Sequence, residues 1–221
     1  MMLVISRCII ERFRQSKQRV FFTGGRHFMN TAAVILAAGF SRRMQHADKL
    51  KLNIAGVPMY QHVISLACTC GLFSTVIVVT NQPDIAAFAA QNGAQAVENL
   101  RAAHGMGTSV AAGTRALPEN TDFCAFLTAD QPFLTADLLR NLVETACGQN
   151  KIAVPRVDGA PKSPCIFPAR YFGQCKALSA DKGGKGIYQQ HLDDVVWVDF
   201  PDGHAWRDID TQTDYSAVIS G

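Results

Sequence analysis

From residue 31 onward, short runs rich in β-branched residues alternate with longer segments in which apolar residues recur at helical spacing. Strands are predicted at residues 33–37, 75–80, 94–98 and 123–128, and helices at residues 59–73, 85–91, 109–117 and 136–147. Strands that alternate with helices are typical of βαβ units, whose right-handed crossovers build a mostly parallel sheet. We therefore expect an α/β fold.

The second half of the chain is less regular. A loop rich in glycine and proline, residues 157–164, lies between two short apolar runs. Further strands are predicted at residues 151–156, 165–167 and 195–200, and helices near 170–178, at 185–191 and from Thr213 onward. Neither an internal repeat nor a linker divides this region, so residues 31–221 are predicted to form one domain.

The first thirty residues differ from the rest in charge. They hold six basic residues against Glu11 alone, whereas the whole chain has a formal charge of only +3. The remainder therefore has no basic field, and nucleic acid is not an expected partner. Residues 1–30 lack the order of an export signal. They are interpreted either as a disordered or loosely helical tail, or as an extension ahead of a working start at Met29.

Cysteine usage and hydropathy indicate the compartment. The seven cysteines are an odd number without metal-ligand spacing, and they read as reduced thiols in apolar surroundings. No apolar run reaches the eighteen or more residues that span a bilayer. We expect a cytoplasmic protein that does not bind membranes.

The segment LAAGFSRRMQHADKL directly follows the first predicted strand. A loop at the carboxyl end of a parallel strand exposes backbone N–H groups, and Ala37, Ala38 and Gly39 would let a triphosphate approach that backbone. Arg43 and Lys49 add positive charge. The pattern is neither GxGxxG nor a Walker loop. An ordinary βα turn with two solvated basic residues is the alternative interpretation.

Carboxylates follow two other predicted elements. Asp130 ends the apolar run FCAFLTAD, so it should lie at the same sheet edge as the glycine loop. Asp208 and Asp210 alternate as on a strand, and only one of them can easily face that edge. Because Mg²⁺ needs one or two carboxylates besides phosphate oxygens and waters, Asp130 and Asp208 would suffice. A helix N-cap is the interpretation preferred for Asp210, and Thr135 is a further cap candidate.

Five motifs in order resemble those of the molybdenum cofactor cytidylyltransferases, within the MobA-like nucleotidyltransferases. They are LAAGFSRRM with DKL, GMGTSVAAG, TADQP, SADKGGKGIYQQH and DIDTQTDY. The resemblance implies a Rossmann-like three-layer α/β domain of the GT-A-like nucleotidyltransferase type. It further implies that CMP moves from CTP to a molybdopterin-type acceptor, with Mg²⁺ as cofactor and pyrophosphate as product. A molybdenum hydroxylase or its maturation factor is a candidate protein partner.

The same resemblance implies roles for particular residues. Arg43, Lys49 and Asp130 would be catalytic, and Asp130 and Asp208 would bind the metal. The nucleotide would contact Leu36, Ala37, Ala38, Gly39, Phe40, Ser41, Arg43, Lys49, Thr80, Gly105, Ser109 and Asp130. The acceptor would contact Ser163, Pro164, Asp181 and Lys185, and His204 is a further candidate acceptor contact because it lies near Asp208 in the sequence.

Departures from the family pattern leave part of this open. Gln45, Ser163, Ala180 and Gln212 replace residues that are usual in the family, and Ser163 and Ala180 fall in the acceptor half. Ala38, where guanylyl relatives carry glycine, favours cytidine. The alternatives are a guanylyltransferase, a sugar-phosphate nucleotidyltransferase, or a non-catalytic nucleotide- or cofactor-binding partner of a molybdenum hydroxylase. Retention of Lys49, Asp130 and Asp208 disfavours the non-catalytic alternative.

Overall fold

A computed structural model describes residues 29–39, 49–180, 183–207, 209 and 215. Its strands are β1 (Thr31–Leu36), β2 (Asn53–Ile54), β3 (Val57–Pro58), β4 (Thr75–Val79), β5 (Gln95–Val97), β6 (Phe123–Thr128), β7 (Ile152–Val157), β8 (Ala160–Pro161), β9 (Cys165–Pro168) and β10 (Val195–Asp199). Its helices are α1 (Met59–Thr69), α2 (Pro83–Gln91), α3 (Met106–Arg115), α4 (Ala136–Gln149), α5 (Phe172–Ala177) and α6 (Gly184–Tyr188).

One mixed sheet organises these elements, in the strand order β10-β7-β9-β6-β1-β4-β5, with β8 paired to β7. Strand β1 lies at its centre and runs parallel to β4 and β6. Strand β9 is antiparallel to both β6 and β7. Leu36 is in register with Val79 and Thr128, so three neighbouring strands end at one level. Their carboxyl ends therefore form a common edge.

Hydrophobic residues cover both faces of this sheet. Along β1, Ala33 and Ile35 face a core that includes Leu139 of α4, whereas Val34 faces a second core that includes Val110 of α3. This period-2 alternation, with helices on both faces, makes a three-layer α/β domain. The prediction of an α/β fold with a mostly parallel sheet is confirmed.

Helix α3 lies unusually close to the central strand. A Cβ atom added at Gly113 would lie 2.3 Å from Cγ1 of Val34. Only a residue without a side chain fits between the helix and β1 at this distance. This close packing holds the helix axis, and with it the helix N-terminus, relative to the carboxyl edge of β1.

Several element boundaries differ from those predicted. The first helix ends at Thr69 rather than residue 73, because Gly71 follows with φ +73° and turns the chain. Helix α3 begins at Met106, three residues before the predicted start, since Gly105 adopts φ 115° and breaks the preceding turn. The two-residue strands β2, β3 and β8 were not predicted. In the terminal segment predicted to be helical, Tyr215 is helical and the other residues lie outside the described ones.

No helix among the described residues is long and apolar enough to cross a membrane.

Candidate active site

The carboxyl edge of the sheet brings together the ends of four neighbouring strands. Backbone hydrogen bonds continue past the strands: Ala37 N–H donates to Val79 O (2.8 Å), and Thr80 N–H donates to Val97 O (3.0 Å). On the other side of β1, Ala129 N–H donates to Leu36 O at 3.1 Å. These hydrogen bonds fix the positions of the residues that directly follow β1, β4 and β6.

Lys49 and Asp130 meet at this edge. Lys49 opens a short 3-10 turn (Lys49–Lys51) that is anchored by the buried side chain of Leu50. Its Nζ donates to Oδ2 of Asp130 at 3.0 Å, although the two residues are 81 positions apart. The Lys49 side chain is 12% exposed and that of Asp130 is 37% exposed. A cation and a carboxylate that were both predicted for the site are therefore paired at a point that solvent reaches.

The residues that leave β1 form the start of the predicted phosphate loop. Ala37 is fully buried, Ala38 is nearly so, and Gly39 is exposed. A Cβ atom at Gly39 would meet no described atom within 4 Å, so packing against these residues does not require glycine there. Phe40, Ser41 and Arg43 of the same prediction lie outside the described residues.

A buried polar network surrounds Asn99, just beyond β5. Asn99 Nδ2 donates to the hydroxyl oxygens of Thr108 and Ser109, at 2.9 Å each, and Arg101 N–H donates to Asn99 Oδ1 at 3.0 Å. Asn81 exchanges two further bonds with the Asn99 backbone, both at 2.9 Å. The network ties the end of β4 to the first turn of α3.

Two predicted nucleotide contacts lie close to this network. Thr80 is buried, and its hydroxyl accepts from Gln82 N–H at 3.1 Å. Gly105 precedes α3 and accepts a 2.8 Å bond from the Thr108 hydroxyl. The structure thus places Thr80, Gly105 and Ser109 along one stretch of the edge.

The segment that ends at Ala180 packs against the start of α3. Gly107 N–H donates to Ala180 O at 2.9 Å, and a Cβ atom at Gly107 would lie 2.3 Å from that oxygen. Of the predicted acceptor contacts that follow, Asp181 lies outside the described residues. Lys185 is exposed on α6.

On the other side of Asp130, three chain segments meet at one backbone carbonyl. Ser163 O accepts from Nε2 of Gln131 at 3.1 Å and from Nε1 of Trp206 at 2.5 Å. Pro164 is buried beside it. His204 is exposed, and its ring centroid lies 5.1 Å from that of Phe133. The structure therefore groups three of the predicted acceptor contacts, Ser163, Pro164 and His204, on one flank of Asp130.

Asp130 is a candidate metal ligand at this edge. Within the described ranges, no group of three or more His, Cys, Asp or Glu side chains could hold a metal ion. Asp130 is the described member of the predicted metal-binding pair, and Asp208 lies outside the described residues.

The described cysteines are neutral and partly or fully buried. Desolvation raises the pKa of Cys165, the cysteine next to Pro164, to about 12, so its thiol is neutral near pH 7. The other described cysteines are free and at least partly buried, which agrees with reduced thiols.

Sequence reasoning missed three residues of this arrangement: Asn99, Gln131 and Trp206. Asn99 and Gln131 each follow a strand end, and the rule that located Asp130 could have located them. Trp206 gave no such signal, because its partner is a backbone carbonyl 43 positions away.

Solved structures with this fold include nucleotidyltransferases. A nucleotidyl transferase from Methanothermobacter thermautotrophicus superposes with a TM-score of 0.74 at 19% identity, covering 86% of this chain and 96% of that one. Rv0371c of Mycobacterium tuberculosis in complex with manganese gives 0.62 at 20% identity, covering 87% and 99%. Molybdopterin-guanine dinucleotide biosynthesis protein A of Archaeoglobus fulgidus gives 0.60 at 15% identity, covering 86% and 97%. At these identities the likeness shows the fold.

The sequence itself matches a protein-family model. The model of the MobA-like NTP transferase domain matches residues 33–195, which is most of the chain. The chain belongs to the MobA-like NTP transferase family. It is also similar to the bifunctional protein GlmU of Sinorhizobium fredii, with 30% identity over 125 residues, 55% of this chain and 27% of that protein. The chain thus spans about a quarter of the length of the curated relatives it matches.

Proposed function

We propose that this chain is a Mg²⁺-dependent cytidylyltransferase that transfers CMP from CTP to a molybdopterin-type acceptor and releases pyrophosphate. The observation that carries the proposal is the Lys49–Asp130 ion pair at the carboxyl edge of the sheet, in a chain of the MobA-like family. The pair combines a cation suited to phosphate with a carboxylate suited to a hard metal ion. Membership of the family supports nucleotidyl transfer, and the sequence motifs support the cytidine and the acceptor.

In the proposed reaction, a phosphate oxygen of the acceptor attacks the α-phosphorus of CTP. A bond between that oxygen and phosphorus forms as the bond to the pyrophosphate oxygen breaks, so no protein nucleophile is required. Lys49 and Arg43 balance the charge that builds on the phosphates, and backbone N–H groups from Gly39 to Ser41 bind the triphosphate. No described atom lies within 4 Å of a Cβ atom placed at Gly39, which is compatible with such a close approach.

The metal proposal rests on the chemistry of the donors. Asp130 offers a partly exposed carboxylate at the edge, a hard oxygen ligand of the kind that Mg²⁺ prefers. Asp130 and Asp208 would hold the cation, which when bound supplies charge neutralisation at the phosphate oxygens. Lys49 lies within hydrogen-bond distance of one Asp130 oxygen. The arriving phosphates would draw the lysine toward themselves and free that carboxylate.

The base preference is assigned to Ala38. This residue is 9% exposed and belongs to the same core as Ala102 and Val110, on the α3 side of the sheet. The methyl group of Ala38 lies where the predicted phosphate loop leaves β1, and it narrows the space available to the nucleotide base on the α3 side. The narrower space suits a one-ring pyrimidine better than a two-ring purine. Such a size effect is worth about 1–3 kcal/mol, so the preference should be strong without being absolute.

A competition assay tests the base assignment. With labelled CTP and GTP in one reaction, we expect CTP to be used in preference, and Ala38→Gly to reduce that preference about tenfold. Equal use of the two nucleotides by the unaltered protein, or preference for GTP, would refute cytidylyl transfer. Nucleotidyl transfer itself would then still stand.

A further inference from the structure

The loop between β7 and β9, residues 158–164 with the two-residue strand β8 inside it, is hydrogen-bonded through Ser163 to the residue that follows Asp130. At its far tip, Asp158, Gly159 and Ala160 are exposed. Near its end, Gln131 and Trp206 both donate hydrogen bonds to Ser163 O, at 3.1 Å and 2.5 Å. The Ser163 hydroxyl donates a longer hydrogen bond, of 3.3 Å, to Oε1 of Gln131.

The two donors come from different parts of the chain. Gln131 is the residue after Asp130, so its side chain connects the loop directly to the strand end that carries the carboxylate. Trp206 is 6% exposed, and its ring packs 5.1 Å from that of Phe200. Phe200 N–H in turn donates to Arg156 O at 2.9 Å, at the end of β7. The carbonyl thus joins the β6 end, the loop and the segment that follows β10.

A carbonyl oxygen with two donors is tolerant of losing one of them. Its two lone pairs accept one bond each, and removal of a single donor leaves the oxygen paired with the other. Removal of both leaves a partly buried oxygen without either partner, and we expect this to cost more than the two separate losses combined. We therefore expect the effects of removing the two donors to be coupled rather than additive.

We propose that Gln131 and Trp206 are positioning residues that act through Ser163 O, holding the loop against Asp130 so that the acceptor phosphate faces the α-phosphorus. This inference rests on the proposed function for the identity of the reaction. The two side chains need not touch either substrate. Their contacts lie on the flank of Asp130 that carries Ser163, Pro164 and His204. Substitution of either residue should therefore raise the KM for the acceptor and leave the KM for the nucleotide nearly unchanged.

Trp206→Phe and Gln131→Met each remove one donor to Ser163 O. Methionine is close to glutamine in volume, whereas phenylalanine is smaller than tryptophan, so Trp206→Phe is compared with the same substitution at Trp197. We expect each to raise the acceptor KM about threefold to tenfold, the range that one net hydrogen bond gives. The double variant should exceed the product of the two single effects, and the KM for the nucleotide should change by less than about twofold. Matched controls are Trp197→Phe, which alters a ring packed on Tyr188, and Gln174→Met, whose amide contacts His191 on the surface.

A spectroscopic readout separates this inference from the proposed function. The chain has two tryptophans, so Trp197→Phe leaves Trp206 as the only indole fluorophore. In that background, Gln131→Met should shift the emission of Trp206 and increase its quenching by acrylamide, whether or not the acceptor has been identified correctly. Thermal unfolding of each variant reports whether the fold is retained.

Unchanged Trp206 emission in the Gln131→Met protein would overturn the inference. Equal acceptor KM values for the Trp206→Phe and Trp197→Phe proteins would also overturn it. A double variant whose acceptor KM rises only by the product of the two single increases would do the same. If the unaltered protein releases no pyrophosphate while the emission does shift, the proposed function fails and the contact at Ser163 stands.

Discussion

Replacing Lys49 by methionine separates a catalytic role of this side chain from a structural one. Lys49→Met keeps a long apolar side chain in a position that is 12% exposed, and it removes the ammonium group that lies 3.0 Å from Asp130. Since the stem of a lysine packs while its charged end reaches polar groups, methionine preserves most of the packing. The variant therefore tests mainly the charge.

The structure predicts a small effect on stability and a large one on turnover. Asp130 is 37% exposed, so its ion pair with Lys49 is screened by solvent and contributes at most about 1 kcal/mol to the free energy of unfolding. By contrast, a preorganised donor that meets developing charge in the transition state is worth about 10²–10³ in kcat. We expect kcat to fall by that factor, while the nucleotide KM rises less than tenfold.

Initial rates of pyrophosphate release, measured at varied CTP and saturating acceptor, give kcat and KM, and urea denaturation gives the free energy of unfolding. Lys51→Met is the matched control, because Lys51 forms a comparable 2.8 Å ion pair with Asp84 on the surface, where both side chains are 47% exposed. It should leave kcat unchanged. A rise in KM at constant kcat for Lys49→Met would assign the lysine to ground-state binding and contradict its proposed role in turnover.

Two further variants test the metal ligand and the packing of α3. Asp130→Asn should reduce pyrophosphate release at least a hundredfold and change the free energy of unfolding by about 1 kcal/mol or less, since it alters a partly exposed side chain without opening a cavity; near-normal activity would remove Asp130 from the metal site. Gly113→Ala should destabilise the protein by about 1–3 kcal/mol in urea denaturation, because its Cβ would overlap Val34. Gly148→Ala, whose Cβ would meet no described atom within 4 Å, should be neutral or stabilising by up to about 1 kcal/mol. Equal effects of these two glycine substitutions would contradict the close packing of α3 on β1.

Much of the central fold could be predicted from the sequence, because its elements are long and strongly patterned. The strand at residues 123–128 was predicted with the boundaries that the structure has, and β1 and β4 differ from prediction by one or two residues. The strands β2, β3 and β8 are two residues long, too short to show a period. The antiparallel direction of β9 depends on a tertiary pairing with β6 that no local pattern encodes.

For the candidate site, residues at strand ends could be predicted and long-range contacts could not. Lys49 and Asp130 were both assigned to the carboxyl edge, and the structure brings them to 3.0 Å. The role of Ser163 O as a shared acceptor depends on a side chain 32 positions before it and another 43 positions after it. Backbone oxygens carry no signature in a sequence, so only coordinates reveal such a junction.

Cytidylyl transfer is tested most directly by a reaction with each of the four nucleoside triphosphates, Mg²⁺ and molybdopterin, followed by measurement of pyrophosphate and mass spectrometry of the product. We predict release of one pyrophosphate for each acceptor converted, with CTP as the preferred nucleotide and a product that carries one added CMP. Absence of pyrophosphate with all four nucleotides, or pyrophosphate without nucleotidylated acceptor, would contradict it.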